Sequence, residues 1–282
     1  MLNPLLHRTV RTARAVRAVI ARPPYTLPGH FYSPLTSQSD VEQALKGAPV
    51  VGIDLRAEDQ LSLAARLQPV LSQPPPGPRY TVRNRMFGPA DAAVYRAMLH
   101  HLRPRRIIEV GCGNSTAVAL DEAEAAGIPD VEITCIDPFP RALQQMLRQG
   151  DACRISIVAR PAQTVPLDQY RRLAAGDVLF VDSSHVAKAG SDVIWLVLHV
   201  MPTLAPGVVV HVHDVFWPFE YPVAWLRQHR DWNESYLLRA FLIGNESWEI
   251  LLFPSWLWQC HPGRLPQQIA TEPGSIWLRK VR

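Results

Sequence analysis

Residues 106–115 read RIIEVGCGNS, an apolar stretch that contains one acid and runs directly into a glycine turn. The apolar run predicts a buried strand, and Gly111 and Gly113 let the backbone turn tightly and let a ligand approach closely. Asn114 and Ser115 favour the start of a helix, whose first N–H groups are free to meet an anionic group. Strand, glycine turn and helix together predict a nucleotide-type binding site.

The acid in this strand is Glu109, which comes two residues before Gly111. A buried carboxylate without a partner is costly, so we expect Glu109 to meet a cationic or hydroxylated group of a ligand. The second predicted strand ends in Asp137, 24 residues after Gly113. A carboxylate at that place can accept hydrogen bonds from both ribose hydroxyls of an adenosine.

Helices and apolar strands alternate from Tyr80 onward. The predicted strands cover residues 106–110, 132–137, 154–159, 177–182, 208–213, 236–243 and 247–253. Alternation of this kind predicts a parallel, doubly wound α/β sheet, buried on both faces. The proline run at 73–78 predicts a boundary. We therefore expect an N-terminal extension over 1–79, the main domain over 80–255 and a C-terminal tail over 256–282.

The N-terminal segment is basic, because Asp40 is the first acid of the chain. The basic residues before it are Arg8, Arg11, Arg14, Arg17 and Arg22. Four of them are three residues apart and would form a stripe along a helix. The stripe predicts a solvated helix packed on its own domain or on a sister subunit in a homo-oligomer. Other readings are contact with an anionic membrane surface or an acidic partner, and an organelle transit peptide.

The composition sets the class of protein. The chain has 282 residues, 48% of them hydrophobic, which suffices for one large core with extensions. No apolar run reaches the roughly 18 residues that span a bilayer, so we expect a soluble protein. Its four cysteines contain no C-x-x-C pair, which favours a reducing, cytoplasmic location over a disulfide framework or a zinc module.

Three motifs at their spacing resemble a known family. EVGCGNS, the acid of CIDP and DVLFVDSSH resemble the class I S-adenosylmethionine-dependent methyltransferases over roughly residues 80–255. GHFYSPL, DSSHV and HDVFWPFEYP are similar to a bacterial subfamily of methyltransferase-like proteins. The resemblance implies a Rossmann-like three-layer α/β/α sandwich. Its sheet would have seven mostly parallel strands, with the last one antiparallel, and would follow an N-terminal helical extension.

The resemblance also implies roles for single residues. Glu109 would lie near the amino group of the cofactor, Asp137 would bind its ribose, and Gln163 would meet its adenine beside Ala162. The implied cofactor-binding set is Glu109, Gly111, Gly113, Asn114, Ser115, Asp137, Gln163 and Asp182.

A polar group of residues follows two of the predicted strands, at ends that should be neighbours. Asp182 and His185 follow one strand, and His211, His213 and Asp214 end the next. In one interpretation His185 or His213 is a general base, oriented by Asp182 or Asp214, that deprotonates an acceptor as it attacks the sulfonium methyl. On the sequence alone we favour this base over the second interpretation.

The second interpretation is a divalent metal held by Asp182, His213 and Asp214. It follows a resemblance to the metal-dependent catechol-type O-methyltransferases, which place ligands at the same two strand ends. Their usual Asp-Asn pair would be His213-Asp214 here, which disfavours magnesium and admits manganese, iron or zinc.

The resemblance implies methyl transfer to an oxygen or nitrogen of a small molecule. Residues 216–225 would form a stiff apolar wall beside the site, and residues 29–34 would close it as a lid. A catalytically silent binding or scaffold protein is the first alternative, and a nicotinamide oxidoreductase is the second. The third glycine of the dinucleotide motif is missing, which disfavours the second. No nucleic-acid partner is expected, because the domain has no basic stripe of its own.

Overall fold

The computed structural model describes residues 23–74, 77–84, 86–128, 130–267 and 269–282. The described chain divides into two compact units, one of residues 23–47 and 223–231 and one of 48–222 and 232–282. The basic stripe predicted over residues 8–22 lies outside the described residues. Within the first unit, the carboxylate of Asp231 accepts hydrogen bonds from the backbone N and the Oγ1 atom of Thr36, at 3.0 and 2.6 Å.

The strands all belong to the second unit and alternate with helices along most of it, whereas the helices Gln38–Ala44 and Val223–Arg227 belong to the first unit. The strands are β1 Arg106–Val110, β2 Glu132–Ile136, β3 Ile155–Val158, β4 Val178–Val181, β5 Val209–His213, β6 Trp248–Leu252 and β7 Ser275–Lys280. The α-helices are α1 Gln38–Ala44, α2 Ala57–Leu71, α3 Pro89–Leu102, α4 Asn114–Ala125, α5 Arg141–Met146, α6 Leu167–Tyr170, α7 Asp192–Trp195, α8 Val223–Arg227, α9 Glu234–Leu242 and α10 Pro254–Cys260.

The seven strands form one sheet in the order β3-β2-β1-β4-β5-β7-β6. Strands β1 to β5 pair in parallel, whereas β7 runs antiparallel to both of its neighbours. Every residue of β4 and β5 is buried, as expected for parallel strands covered by helices on both faces. The prediction of a Rossmann-like α/β/α sandwich with a seven-stranded, mostly parallel sheet is confirmed.

Two predictions at the C-terminal end of the sheet are wrong. Residues 236–243 are not a strand: residues 236–242 belong to α9, whose buried Leu238 and Leu242 lie four residues apart on one helix face. The seventh strand is β7, inside the segment that we predicted as a tail over 256–282. Its Ile276, Trp277 and Leu278 are buried because β7 is an inner strand between β5 and β6.

The order of the strands also decides where a ligand can bind. Strands β2 and β4 flank β1 on opposite sides, so the order reverses beside β1, and a crevice opens where the carboxyl ends diverge. Gly111 follows β1 and Asp182 follows β4, and the Asp182 N–H donates to the carbonyl of Val110 at 2.9 Å. The two predicted sequence motifs therefore meet at this point.

No helix among the described residues is long and apolar enough to cross a membrane.

Candidate functional site

The glycine turn after β1 leaves no room for a side chain. Gly111 has a φ of +77°, and a Cβ atom added to it would lie 1.9 Å from the carbonyl oxygen of Asp182. Only glycine adopts this backbone conformation cheaply and also allows so close an approach. The turn thus brings the ends of β1 and β4 together.

Glu109 lies behind this turn, fully buried, and its partners come from the protein. Its carboxylate accepts hydrogen bonds from the hydroxyls of Ser115 and of Thr116, the latter at 2.6 Å. The Thr116 hydroxyl also accepts the N–H of Gly113 at 3.0 Å. Burial raises the pKa of Glu109 to about 8, against the effect of the two hydroxyls. Glu109 therefore holds the first turn of α4 against the end of β1.

Two adjoining clefts open at the carboxyl edge of the sheet. One has a volume of about 420 Å³ and extends along the ends of β1, β2 and β4 to Ala162 and Gln163. The other has a volume of about 360 Å³ and extends over the glycine turn to Trp232. Both clefts share the lining residues Gly111, Asp137, Asp182, Ser183 and Ser184.

Asp137 lies where the two clefts join. Its Oδ2 atom is 3.3 Å from the backbone N of Cys112, and its Oδ1 atom accepts the N–H of Phe139 at 2.6 Å. These bonds hold the carboxylate at the end of β2. The carboxylate of Asp137 lines both clefts and can meet a hydroxylated ligand there.

Most of the sequence-predicted site residues line these clefts, but two do not. The lining residues from our predictions are Gly111, Gly113, Asn114, Ser115, Asp137, Gln163, Asp182, His185 and Asp214. Glu109 and His213 are buried and are not among the lining residues. The Glu109 carboxylate accepts the Ser115 and Thr116 hydroxyls at the start of α4, and its contact with a ligand stays a prediction.

The polar group at the ends of β4 and β5 is compact. His185 Nε2 lies 3.3 Å from Asp182 Oδ1 and 3.5 Å from Asp214 Oδ2. His213 Nδ1 lies behind them, 3.4 Å from Asp182 Oδ1 and 3.6 Å from Asp214 Oδ1. We call Asp182, His185, His213 and Asp214 the strand-end cluster. His211 lies outside it and packs against the rings of Tyr95 and Trp277.

The charges of the strand-end cluster depend on one another. Burial works against the charged imidazole, yet Asp182 and Glu234 raise the pKa of His185 to about 10. Burial likewise opposes charge on Asp182, but His213 and His185 hold the pKa of that carboxyl well below its usual range. Burial raises the pKa of Asp214, against the attraction of both imidazoles. The acids around His185 therefore favour its protonated form at neutral pH.

The ligand set for a metal differs from the one that we predicted. Within the described residues, Asp182, His185 and Asp214 each offer one ligand atom, and these atoms lie within 4.8 Å of one another. His185, not His213, completes this group, because His185 faces the cleft and His213 lies behind the two carboxylates.

Three residues of the site were missed at the level of sequence. Glu234 contacts His185 Nδ1 at 2.9 Å, and Asp91 Oδ2 lies 3.7 Å from His213 Nε2. The ring of Trp232 lies over that of His185, with 4.3 Å between centroids. No local pattern marks these residues, since they come from α3 and from the segment before and at the start of α9.

Residues 216–222, most of the apolar wall predicted over 216–225, do not line the clefts. Trp217 and Phe219 pack on Phe253 instead. The lid predicted over 29–34 belongs to the other compact unit and stays a prediction.

The fold and the clefts define a nucleotide-type α/β protein whose ligand binds beyond the carboxyl ends of β1, β2 and β4. Residues 108–215 match the family model described as "Methyltransferase domain". An uncharacterized protein of Archaeoglobus fulgidus is 30% identical over 163 residues, covering 52% of this chain and 72% of the relative.

Solved structures with a similar fold include two methyltransferases. One, from Podospora anserina, was solved with bound S-adenosylhomocysteine and is 16% identical, covering 92% of this chain and all of that one, with a TM-score of 0.47. The other is an O-methyltransferase of Streptomyces achromogenes involved in tomaymycin synthesis, solved in complex with S-adenosylmethionine. It is 17% identical over 79% of this chain and 90% of that one, with a TM-score of 0.46. Likeness of this degree indicates nothing about activity.

The chain belongs to the class I S-adenosylmethionine-dependent methyltransferases, in agreement with the resemblance carried by its sequence motifs.

Proposed function

We propose that the protein transfers the methyl group of S-adenosylmethionine to an oxygen of a small molecule, with help from a divalent cation in the strand-end cluster. The observation that carries the proposal is the placement of Asp182, His185 and Asp214. Their ligand atoms lie within 4.8 Å of one another in the cleft that also contains the glycine turn. Transfer to nitrogen is the less favoured form, because an amine needs no cation to become nucleophilic.

The cofactor would occupy both clefts. Its ribose would bind Asp137 where the clefts join, and its adenine would extend toward Ala162 and Gln163. The methionine part would pass over Gly111 and Gly113, where no side chain stands in the way. In this placement Asp182, which lines both clefts, would lie near the sulfonium.

The donor set fits a cation. Two carboxylates and one imidazole are a reasonable ligand set for manganese, iron or zinc. His185 Nδ1 is engaged by Glu234 at 2.9 Å, so Nε2 is the nitrogen that faces Asp182 and Asp214. Four carboxylates, of Asp91, Asp182, Asp214 and Glu234, surround only two imidazoles, which also favours a cation.

A divalent cation there would supply the positive charge that stabilises an acceptor oxygen as it loses its proton. The chain's own residues orient the reactants. Trp232, Phe87 and Met86 line the same cleft as His185 and form its apolar side. They would hold the acceptor near the methyl group and exclude water, which are the main contributions to methyl transfer.

The metal-free base is the weaker candidate in this geometry. Both nitrogens of His185 face carboxylates, and its raised pKa keeps the imidazole protonated at neutral pH. His213 lies outside the lining of either cleft and so has no path to an acceptor proton.

The first prediction concerns cofactor binding. Replacing Asp137 by Ala should weaken the binding of S-adenosylhomocysteine by about 1.5–3 kcal/mol, the range for hydrogen bonds to a charged group. Calorimetry measures the dissociation constant. Asp168→Ala is the matched control, because Asp168 is exposed and pairs with Arg171 at the surface. A folded Asp137→Ala variant with wild-type affinity would refute the ribose assignment.

The second prediction concerns the cation. Mn²⁺ should bind the wild-type protein in calorimetry, and Asp182→Asn or Asp214→Asn should weaken that binding at least tenfold. A cation must displace the proton from His185, whose raised pKa keeps it charged, so affinity should rise up to about tenfold per pH unit between about pH 6.5 and 8.5. Asp168→Asn should behave like the wild type.

Two other outcomes of these binding experiments would contradict the proposal. If Mn²⁺, Fe²⁺ and Zn²⁺ all fail to bind while S-adenosylhomocysteine does, the cation is excluded and His185 remains as the base. If S-adenosylhomocysteine also fails to bind, the result supports the alternative of a catalytically silent protein instead.

A further inference from the structure

A glutamate distant in sequence contacts His185 from the side opposite the cleft acids. Glu234 is 1% exposed, and its Oε2 atom lies 2.9 Å from His185 Nδ1, 49 residues away in the chain. Its other oxygen, Oε1, is 3.5 Å from the hydroxyl of Ser183. Both carboxylate oxygens therefore face the loop that follows β4.

Backbone hydrogen bonds also join the loop after β4 to the start of α9. The N–H groups of Asn233 and Glu234 both donate to the carbonyl of His185, at 3.0 and 3.2 Å. The Asn233 side chain accepts the N–H of Ala187 at 2.5 Å and donates to the Ala187 carbonyl at 3.3 Å. The start of α9 thus clamps residues 185–187 in place.

His185 itself has an unusual backbone. Its φ of +58° lies in the left-handed region, which a residue with a side chain adopts only at an energetic cost. Such a conformation persists only where the surroundings enforce it, and it is concentrated at functional sites. The contacts from Asn233 and Glu234 provide that enforcement, and the ring of Trp232 packs against the imidazole at a tilt of 36°.

We propose that Glu234 is the positioning residue of His185, which fixes the imidazole with Nδ1 toward Glu234 and Nε2 toward Asp182 and Asp214. The inference rests on the proposed function, because Nε2 is the atom that would hold the cation. A carboxylate on the second nitrogen of a ligating histidine sets its ring orientation and raises its basicity. Glu234 would act through His185 and would touch neither cofactor nor acceptor.

The test uses the full chain and two readouts. The first is the affinity for Mn²⁺ by calorimetry, which should fall about 10–100-fold in Glu234→Ala. Glu234→Gln keeps a hydrogen-bond acceptor and should recover part of the loss. The second readout needs no metal: the downfield NMR signal of the His185 Nδ1 proton, assigned with a His185→Gln variant, should disappear in Glu234→Ala and persist in Glu234→Gln.

Glu220→Gln is the matched control. Glu220 is a half-buried glutamate that, like Glu234, accepts hydrogen bonds, here from the N–H of Tyr221 at 2.8 Å and from the hydroxyl of Tyr236. It should change neither readout, and the affinity for S-adenosylhomocysteine should stay at the wild-type level in all variants that fold.

The outcomes separate the two proposals. A Nδ1 proton that persists in folded Glu234→Ala, or a Mn²⁺ affinity within twofold of the wild type, overturns the role of Glu234. If the wild type binds no cation but the proton signal depends on Glu234, the cation proposal fails and the positioning of His185 by Glu234 stands. If the Ala variant does not fold, the proton signal and cation affinity of Glu234→Gln decide. A Gln variant with neither changed at all overturns the inference, since removal of the charge should at least weaken cation binding.

Discussion

Replacing Arg79 by Met is expected to lower the free energy of unfolding by about 3–5 kcal/mol, the cost of leaving buried charges without their partner. The Arg79 side chain is 3% exposed and contacts three acids: Asp121 at 2.8 Å, Glu124 at 2.6 Å and Asp151 at 2.7 Å. Asp121 and Asp151 are themselves buried. Without Arg79 they must either stay charged in a poorly solvated place or take up protons.

Arg171→Met is the matched control for this change. Arg171 pairs with Asp168 at 3.0 Å, but both side chains are exposed, so its loss should cost at most about 0.5 kcal/mol. Urea unfolding of both variants measures the difference. Equal stability of Arg79→Met and Arg171→Met would show that the buried network contributes no more than a surface pair.

Gly111→Ala is expected to abolish cofactor binding and to destabilise the fold by about 2–5 kcal/mol. The new Cβ would lie 1.9 Å from the Asp182 carbonyl oxygen, so the ends of β1 and β4 must separate. The estimate combines the left-handed backbone penalty of about 1–2 kcal/mol with an overpacking cost of about 1–3 kcal/mol. Binding should fail because Gly111 and Asp182 line both clefts.

Gly176→Ala isolates the backbone penalty. Gly176 has a similar φ of +86°, but no atom lies within 4 Å of an added Cβ there. We therefore expect a loss of about 1–2 kcal/mol and unchanged affinity for S-adenosylhomocysteine. Thermal unfolding and calorimetry on both variants provide the comparison. If the two substitutions lower the free energy of unfolding by the same amount, the close contact between Gly111 and Asp182 does not add to the cost of the substitution.

The strand-end cluster shows how the structure changes a functional interpretation. The sequence places two histidines and two acids at neighbouring strand ends, and on the sequence alone we favour a general base over a metal. The structure turns His185 toward the cleft and buries His213 behind Asp182 and Asp214. That difference in side-chain direction is why the cation is now the favoured proposal and His185 its imidazole donor.

Local patterns in the sequence determined the central part of the fold. A short apolar run followed by Gly111 and Gly113, and then by residues that start helices, specifies a strand, a turn and a helix without distant contacts. The acids after the second and fourth strands, Asp137 and Asp182, could be assigned to one edge because parallel strands share their carboxyl ends. The strand predicted over residues 236–243 was wrong because a short apolar run is compatible with either a strand or a buried helix.

Only the tertiary structure decided which side chains share an environment. Glu109 was predicted beside the ligand, yet its direction depends on the packing of α4, which brings Ser115 and Thr116 to its carboxylate. Glu234 reaches His185 across 49 residues, and Arg79 joins acids 42 to 72 residues away. Buried polar groups take whichever partners the packed core brings near, because leaving them unpaired is costly. Such partners lie far apart in the chain, so neither periodicity nor spacing records them.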